Sequence, residues 1–215
     1  SVSILILAKR TYPNPREIES KVTQDTNYKE ARGFSHLFWV YLSFVVVSVL
    51  GYVNFQLISY NFKVTSLVSD AQVPVLFAIA MGTDALVALI IGRLFDKKGL
   101  PTLIMIPIMS IFIVPLVFSR YYSGALVGVI LWGAVMGIQD TIMRATIPNM
   151  IPAEKRGLAY GIFNTAYGTS WFVGSTLMGI LYDISIPYLI LFSVISEVVS
   201  IPLLIGIVRQ VRKSL

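Results

Sequence analysis

Six apolar stretches, each long enough to cross a bilayer, constrain this chain more than any other feature. They run over approximately 35–60, 72–95, 101–119, 123–147, 157–182 and 186–208. A hydrocarbon core about 30 Å thick needs roughly 20 apolar residues of helix. Within lipid, only helices and closed barrels satisfy their own backbone. Charged residues are 13% of the 215, against about a quarter in a soluble domain. The sequence therefore predicts an all-α, multi-pass membrane protein with six transmembrane helices.

The cations orient those spans. Lys and Arg cluster in 9–34, 93–98, 144–156 and 209–213, which six crossings place on one side; only Lys63 and Arg120 fall on the other. The positive-inside rule makes the rich side, and both termini, cytoplasmic. The net charge of +6 is thus topological and gives no reason to expect nucleic acid. Residues 1–8 are too short to span, and their cations follow the apolar run, the reverse of a signal peptide. They read as the end of a preceding transmembrane helix, in a chain that looks like part of something longer. Residues 9–34 mix six cations with Glu17, Glu19, Asp25 and Glu30, as a cytoplasmic linker would. Residues 35–208 form the six-helix unit and 209–215 a cytoplasmic tail.

The chain has no cysteine and a single histidine, His36. Disulfide and thiolate chemistry are excluded, and no metal or other cofactor is called for. Neither a phosphate-binding Gly-x-x-x-x-Gly-Lys-[Ser/Thr] nor a His-Glu-x-x-His occurs, so the chain does not read as an enzyme.

An internal echo organises the spans. Ala80-x-Gly82-Thr83 and then Gly92-x-Leu94-Phe95-Asp96 match Ala166-x-Gly168-Thr169 and then Gly179-x-Leu181-Tyr182-Asp183, with one residue inserted between the blocks. The match pairs spans one to three with spans four to six. Because three is odd, the copies cross in opposite directions. Lys97-Lys98 follow the cytoplasmic copy and Ile184-Ser185 the external one. Inverted three-helix repeats are typical of secondary transporters, which alternate access around a midplane site.

Gly92-x-x-x-Asp96-Lys97-x-Gly99 also resembles motif A of the major facilitator superfamily, in the copy between the eighth and ninth helices. The resemblance covers nearly the whole chain and departs where Leu100-Pro101 replaces the usual basic pair. It implies that these spans are the carboxy-terminal half of a twelve-helix transporter whose amino-terminal six-helix half is a partner, in the same gene or a second chain. It further implies a plasma-membrane location, a small-molecule substrate and ion-coupled alternating access. Gly92 and Gly99 would allow tight turning between helices. Asp96 would face the N-terminus of a helix in the other half, and Arg93 and Lys97 would join a gate with acids such as Asp140. From spacing alone, Asp140 and Arg144 form an i, i+4 pair that can satisfy itself.

Candidate path residues follow from helical faces. Tyr160, Asn164, Tyr167 and Trp171 recur on one side of the fifth span. An amide facing lipid would cost several kcal/mol, so Asn164 should meet protein or water. Trp132 and Gln139 share a face of the fourth span; the first offers Gln56, with Asn54 on another face. Two intramembrane acids are proton-coupling candidates: Asp84, roughly 12 Å along the helix from Gly92, and Glu197, mid-way through the last span. The resemblance places the helix of Glu197 at the periphery, which suits a hydrogen-bonded structural acid. The competing readings are a six-span scaffold or receptor subunit that moves nothing, and a half-transporter that self-assembles.

Overall fold

The computed structural model describes residues 34–214; the expectations for 1–8 and for nearly all of the 9–34 linker lie outside them. All regular secondary structure among the described residues is helical. In chain order the α-helices are α1 (His36–Gly51), α2 (Phe55–Val64), α3 (Gln72–Lys98), α4 (Met105–Val117), α5 (Tyr122–Ile138), α6 (Arg156–Ile184) and α7 (Ile186–Ser214). A 3₁₀ turn (Leu100–Ile104) leads into α4, and a π-helical turn (Gln139–Met143) extends α5. The last helix continues to Ser214, beyond the expected end at 208.

Five segments among the described residues are long and apolar enough to cross a membrane: His36–Val64, Gln72–Lys98, Leu100–Val117, Tyr122–Asn149 and Ile186–Val211. The expected fifth span, α6, is not among them. Its 29 residues give ample length, but Tyr160, Asn164, Thr165, Tyr167, Thr169, Ser170, Ser175 and Thr176 dilute its apolarity.

The first span is broken in two at Tyr52–Val53–Asn54, where a continuous helix is expected. A break at membrane depth frees backbone groups that lipid cannot satisfy, and side chains take them up. The Ser193 hydroxyl donates to the Gly51 carbonyl at 2.7 Å, and the Trp132 indole N–H donates to the Val53 carbonyl at 2.7 Å. Asn54 caps α2, its Oδ1 accepting from the Leu57 N–H at 2.8 Å.

Helix packing exchanges partners between the two triplets. α1 packs on α6 and α7, α5 packs on α3 and α4, and α4 meets α7. Small residues permit the closest approaches. A Cβ added at Gly133 or Gly137 of α5 would collide with the backbone of Ala80 or Asp84 on α3. One added at Gly174 of α6 would strike Leu50 of α1.

The motif glycines divide their roles differently from expectation. Gly99, with φ +66° and ψ −147°, makes the turn after α3. Gly92 lies inside α3, where an added Cβ would meet only the Thr141 methyl at 3.9 Å, so no turn depends on it. Pro107 occupies the first turn of α4, a position that needs no helical N–H, and Pro115 precedes its end by two residues.

Candidate functional site

The broken first span and the polar α6 meet in a continuous aromatic wall. On α6, Phe163 stacks on Tyr167 (centroids 5.9 Å apart) and Tyr167 on Trp171 (6.1 Å). Trp171 adjoins Tyr52 at the break (5.8 Å), and Tyr52 stacks on Trp132 of α5 (5.8 Å, planes 16° apart). Phe55 continues from Trp132 (5.4 Å) to Phe77 on α3 (4.8 Å). Two hydrogen bonds pin the centre: the Tyr52 hydroxyl donates to the Trp132 carbonyl at 2.6 Å, and the Trp132 indole holds Val53. The wall is therefore rigid where the first span is discontinuous.

Polar groups edge this wall. The Tyr167 hydroxyl donates to Gln139 Oε1 at 3.4 Å, while Gln139 Nε2 is buried without a partner. Asp140 is close enough to act electrostatically on Asp84, Tyr52 and Tyr167. Asp84 is half-exposed beside Gly137, and Asp140 and Arg144 are exposed. The side chains of Asp140 and Arg144 close no ion pair; Lys63–Asp70, at 3.6 Å, is the pair formed among the described residues. Asp140 and Arg144 nonetheless stay within electrostatic reach of each other across the π turn at 139–143. Tyr160 reaches back across this end, its hydroxyl donating to the Arg144 carbonyl at 3.4 Å.

The structure thus gathers Tyr167, Trp171, Gln139, Trp132, Asp84 and Asp140 around one centre and places the other candidates elsewhere. Asn164 is exposed on the same face of α6 as Tyr167. Trp132, within the wall, and Gln139, at its edge, are buried, 3% and 1% exposed. Asn54 is occupied as a cap, and Gln56 is exposed on α2. Arg93, Asp96 and Lys97 are exposed at the end of α3, near Gly99. Glu197 is fully buried and away from the wall, its Oε2 accepting from the Ser48 hydroxyl at 3.1 Å. Phe163, Phe55 and Phe77 belong to the wall and carried no sequence signal, being apolar residues in an apolar chain. A cleft of about 540 Å³ opens on the opposite side of α6, lined by residues such as Val46, Ile162, Thr165 and Thr169, and not by Asn164 or Tyr167.

The sequence of residues 4–214 matches the Major Facilitator Superfamily. The chain belongs to that family. An uncharacterized protein of Mycobacterium tuberculosis is 31% identical over 209 residues, which cover 96% of this chain and 51% of the relative. A Mycobacterium bovis protein matches to the same extent. An uncharacterized MFS-type transporter of Methanocaldococcus jannaschii is 27% identical over 183 residues, 84% of this chain and 45% of the relative. The chain spans about half the length of the curated relatives it matches. Membership in the Major Facilitator Superfamily and five membrane-length apolar helices make it a membrane protein.

Proposed function

We propose that this chain is the carboxy-terminal half of a secondary transporter that moves a small solute by alternating access, coupled to an ion, with six spans in two inverted repeats. One observation carries the reading. Asn164 and Asp140 are exposed, and Asp84 half-exposed, within membrane-length helices beside an aromatic wall. Amide and carboxylate groups left in lipid at that depth cost several kcal/mol, so the face needs water or a second protein surface against it. The length ratio to the relatives supplies a candidate, six further helices. The exchange of partners between α1–α4 and α5–α7 supports the inverted repeat, because a two-fold relation swaps the α1 contacts with those of α5.

In this reading Tyr167, Trp171 and Asn164 of α6 touch solute, with Tyr160 and Gln56 towards the ends of the path. Trp132, Gln139 and Asn54 hold the wall and the break in place. Asp84, at mid-depth and beside Asp140, is the acid best placed to respond to solute. Arg93, Asp96, Lys97 and Gly99, with Asp140 and Arg144, make the cytoplasmic gate against the other half. Both termini are cytoplasmic and the protein resides in the plasma membrane.

The test uses the absence of native cysteine from the chain. Asn164→Cys, in membranes, is treated with a water-soluble maleimide. Labelling that changes with the imposed ion gradient or with added solutes is the expected result. A cysteine inert under every condition, as in a tightly packed scaffold, overturns the proposal.

A further inference from the structure

A second polar centre lies apart from the aromatic wall, where α1, α4 and α7 converge. Glu197 of α7 is fully buried. Ser48 from α1, Ser110 from α4 and Ser200 from α7 have their hydroxyls against it, and all three are buried. The Ser48 hydroxyl donates to Oε2 at 3.1 Å, and that of Ser200 to the Glu197 backbone carbonyl at 2.8 Å. Two oxygens are left over: Glu197 Oε1 and Ser110 Oγ are both buried without a hydrogen-bond partner.

We propose that Glu197, Ser48 and Ser110 form a binding site for a monovalent cation, a proton or a sodium ion, that couples to the break in the first span. The proposal deepens the ion-coupled reading above and rests on it.

The argument starts from what could satisfy the two orphan oxygens. Glu197 Oε1 is an acceptor and the Ser110 hydroxyl is both donor and acceptor, the two come from different helices, and among the described residues no cationic side chain pairs with Glu197. The other titratable group in electrostatic reach is Tyr52, whose hydroxyl is committed to the Trp132 carbonyl. α4 and the 3₁₀ turn before it contain no titratable residue. The α6 tyrosines 160, 167 and 182 donate to Arg144, Gln139 and Asn61 instead. On α7 itself Tyr188 and Arg209 are exposed and more than two turns away. A proton on Oε1 would be donated to Ser110 Oγ and would use both orphans at once. A sodium ion would use the same two oxygens as hard ligands. Serine hydroxyls can donate to the ionised carboxylate but cannot neutralise its buried charge, and either cation would do so.

Position strengthens the case. Ser48 lies one turn before the end of α1, where the helix dipole is negative and where broken helices of transporters hold their coupling ions. Gly51, at that end, is pressed against Ser193 and Ser196 of α7. Tyr52, the next residue, is the centre of the aromatic wall. An ion that draws α7, α4 and α1 together at Ser48 therefore acts four residues from the solute face.

The experiment measures ion binding without solute, on purified protein in detergent. Thermal unfolding is followed across pH in KCl, and at alkaline pH with NaCl replacing KCl. Infrared difference spectra record the carboxylic acid band. A sodium-specific rise in unfolding temperature, lost in Glu197→Gln, identifies sodium. A pH-dependent carboxylic band missing from Glu197→Gln, with no sodium effect, identifies the proton. Ser110→Ala keeps the carboxyl, covers the case in which Glu197→Gln does not fold, and should weaken the ion dependence by about tenfold, the effect of losing one charge-assisted hydrogen bond. Wild-type protein with neither a sodium response nor a titrating carboxyl band overturns the proposal and leaves Glu197 a structural acid. Gradient-dependent labelling at residue 164 would in that case still stand, so the two readings fail separately.

Discussion

Trp132 does two jobs through one side chain, and both can be separated by substitution. Its ring stacks on Tyr52, and its N–H satisfies the Val53 carbonyl that the helix break exposes. Trp132→Phe retains an aromatic ring and removes the donor. A buried acceptor left unpaired costs about 1–3 kcal/mol, so this variant should unfold at a clearly lower temperature in detergent. Tyr60→Phe is the control. Tyr60 is 54% exposed and meets Tyr182 edge-on through its ring, so losing its hydroxyl should leave the midpoint unchanged. Equal effects of the two variants would show that the Val53 bond contributes nothing. Glycines give a second residue-scale contrast. A Cβ at Gly133 would run into the Ala80 backbone, which cannot move aside as a side chain can. Overpacking of this kind costs roughly 1–3 kcal/mol, and Gly133→Ala should destabilise accordingly. Gly82→Ala, with nothing within 4 Å of the new carbon, should be neutral or stabilising by up to about 1 kcal/mol, since alanine favours helix over glycine.

At the scale of elements, the sequence located helices well and their interruptions poorly. Apolar length is a local property, so each of the six stretches it marked is occupied by helix. The break at Tyr52–Asn54 has no proline, and its local signals, Gly51 before it and Asn54 at its end, are weak inside an apolar run. Its compensation comes from Trp132, 79 residues away from Val53, and from Ser193, 142 away from Gly51. The π turn at Gln139–Met143 is similar: no local signal marks it, and Asp140 and Arg144 face each other electrostatically without closing an ion pair. The α6 face was legible because four polar or aromatic residues recur at helical spacing, whereas Phe163, Phe55 and Phe77 were hidden by the chain's general apolarity. Asn54 was legible as polar but not as a cap, since capping depends on a helix start the sequence does not reveal. Removing that cap tests the break directly. Asn54→Ala should destabilise α2 by about 1 kcal/mol, with Asn54→Ser close to wild type because serine also caps. Hydrogen exchange at residues 55–58 is the readout, and unchanged protection in the alanine variant would refute a capping role.

For the whole molecule the architecture turns on whether α6 crosses the membrane. Its 29 residues reach roughly 43 Å, more than a bilayer core, yet it is not among the five segments apolar enough to cross. Charge distribution favours the crossing arrangement proposed above. If α6 crosses, Arg209, Arg212 and Lys213 lie on the same side as the 93–98 and 144–156 clusters, leaving only Lys63 and Arg120 opposite. If it lies on the surface, α7 reverses and carries those three cations to the poor side, against the positive-inside rule. Packing agrees with crossing, because Gly174 of α6 rests against Leu50 of α1, deep within the first span. A polar helix crosses at little cost when its polar face meets protein or water, and the face carrying Asn164 and Tyr167 is the one proposed to meet the other half. Single cysteines at Glu154 and Ser185, before and after α6, make the test. In intact cells an impermeant reagent should label Ser185→Cys and spare Glu154→Cys, which should react only after permeabilisation. Labelling of both from the same side would remove the sixth span, and with it the inverted three-plus-three arrangement on which the alternating-access mechanism depends.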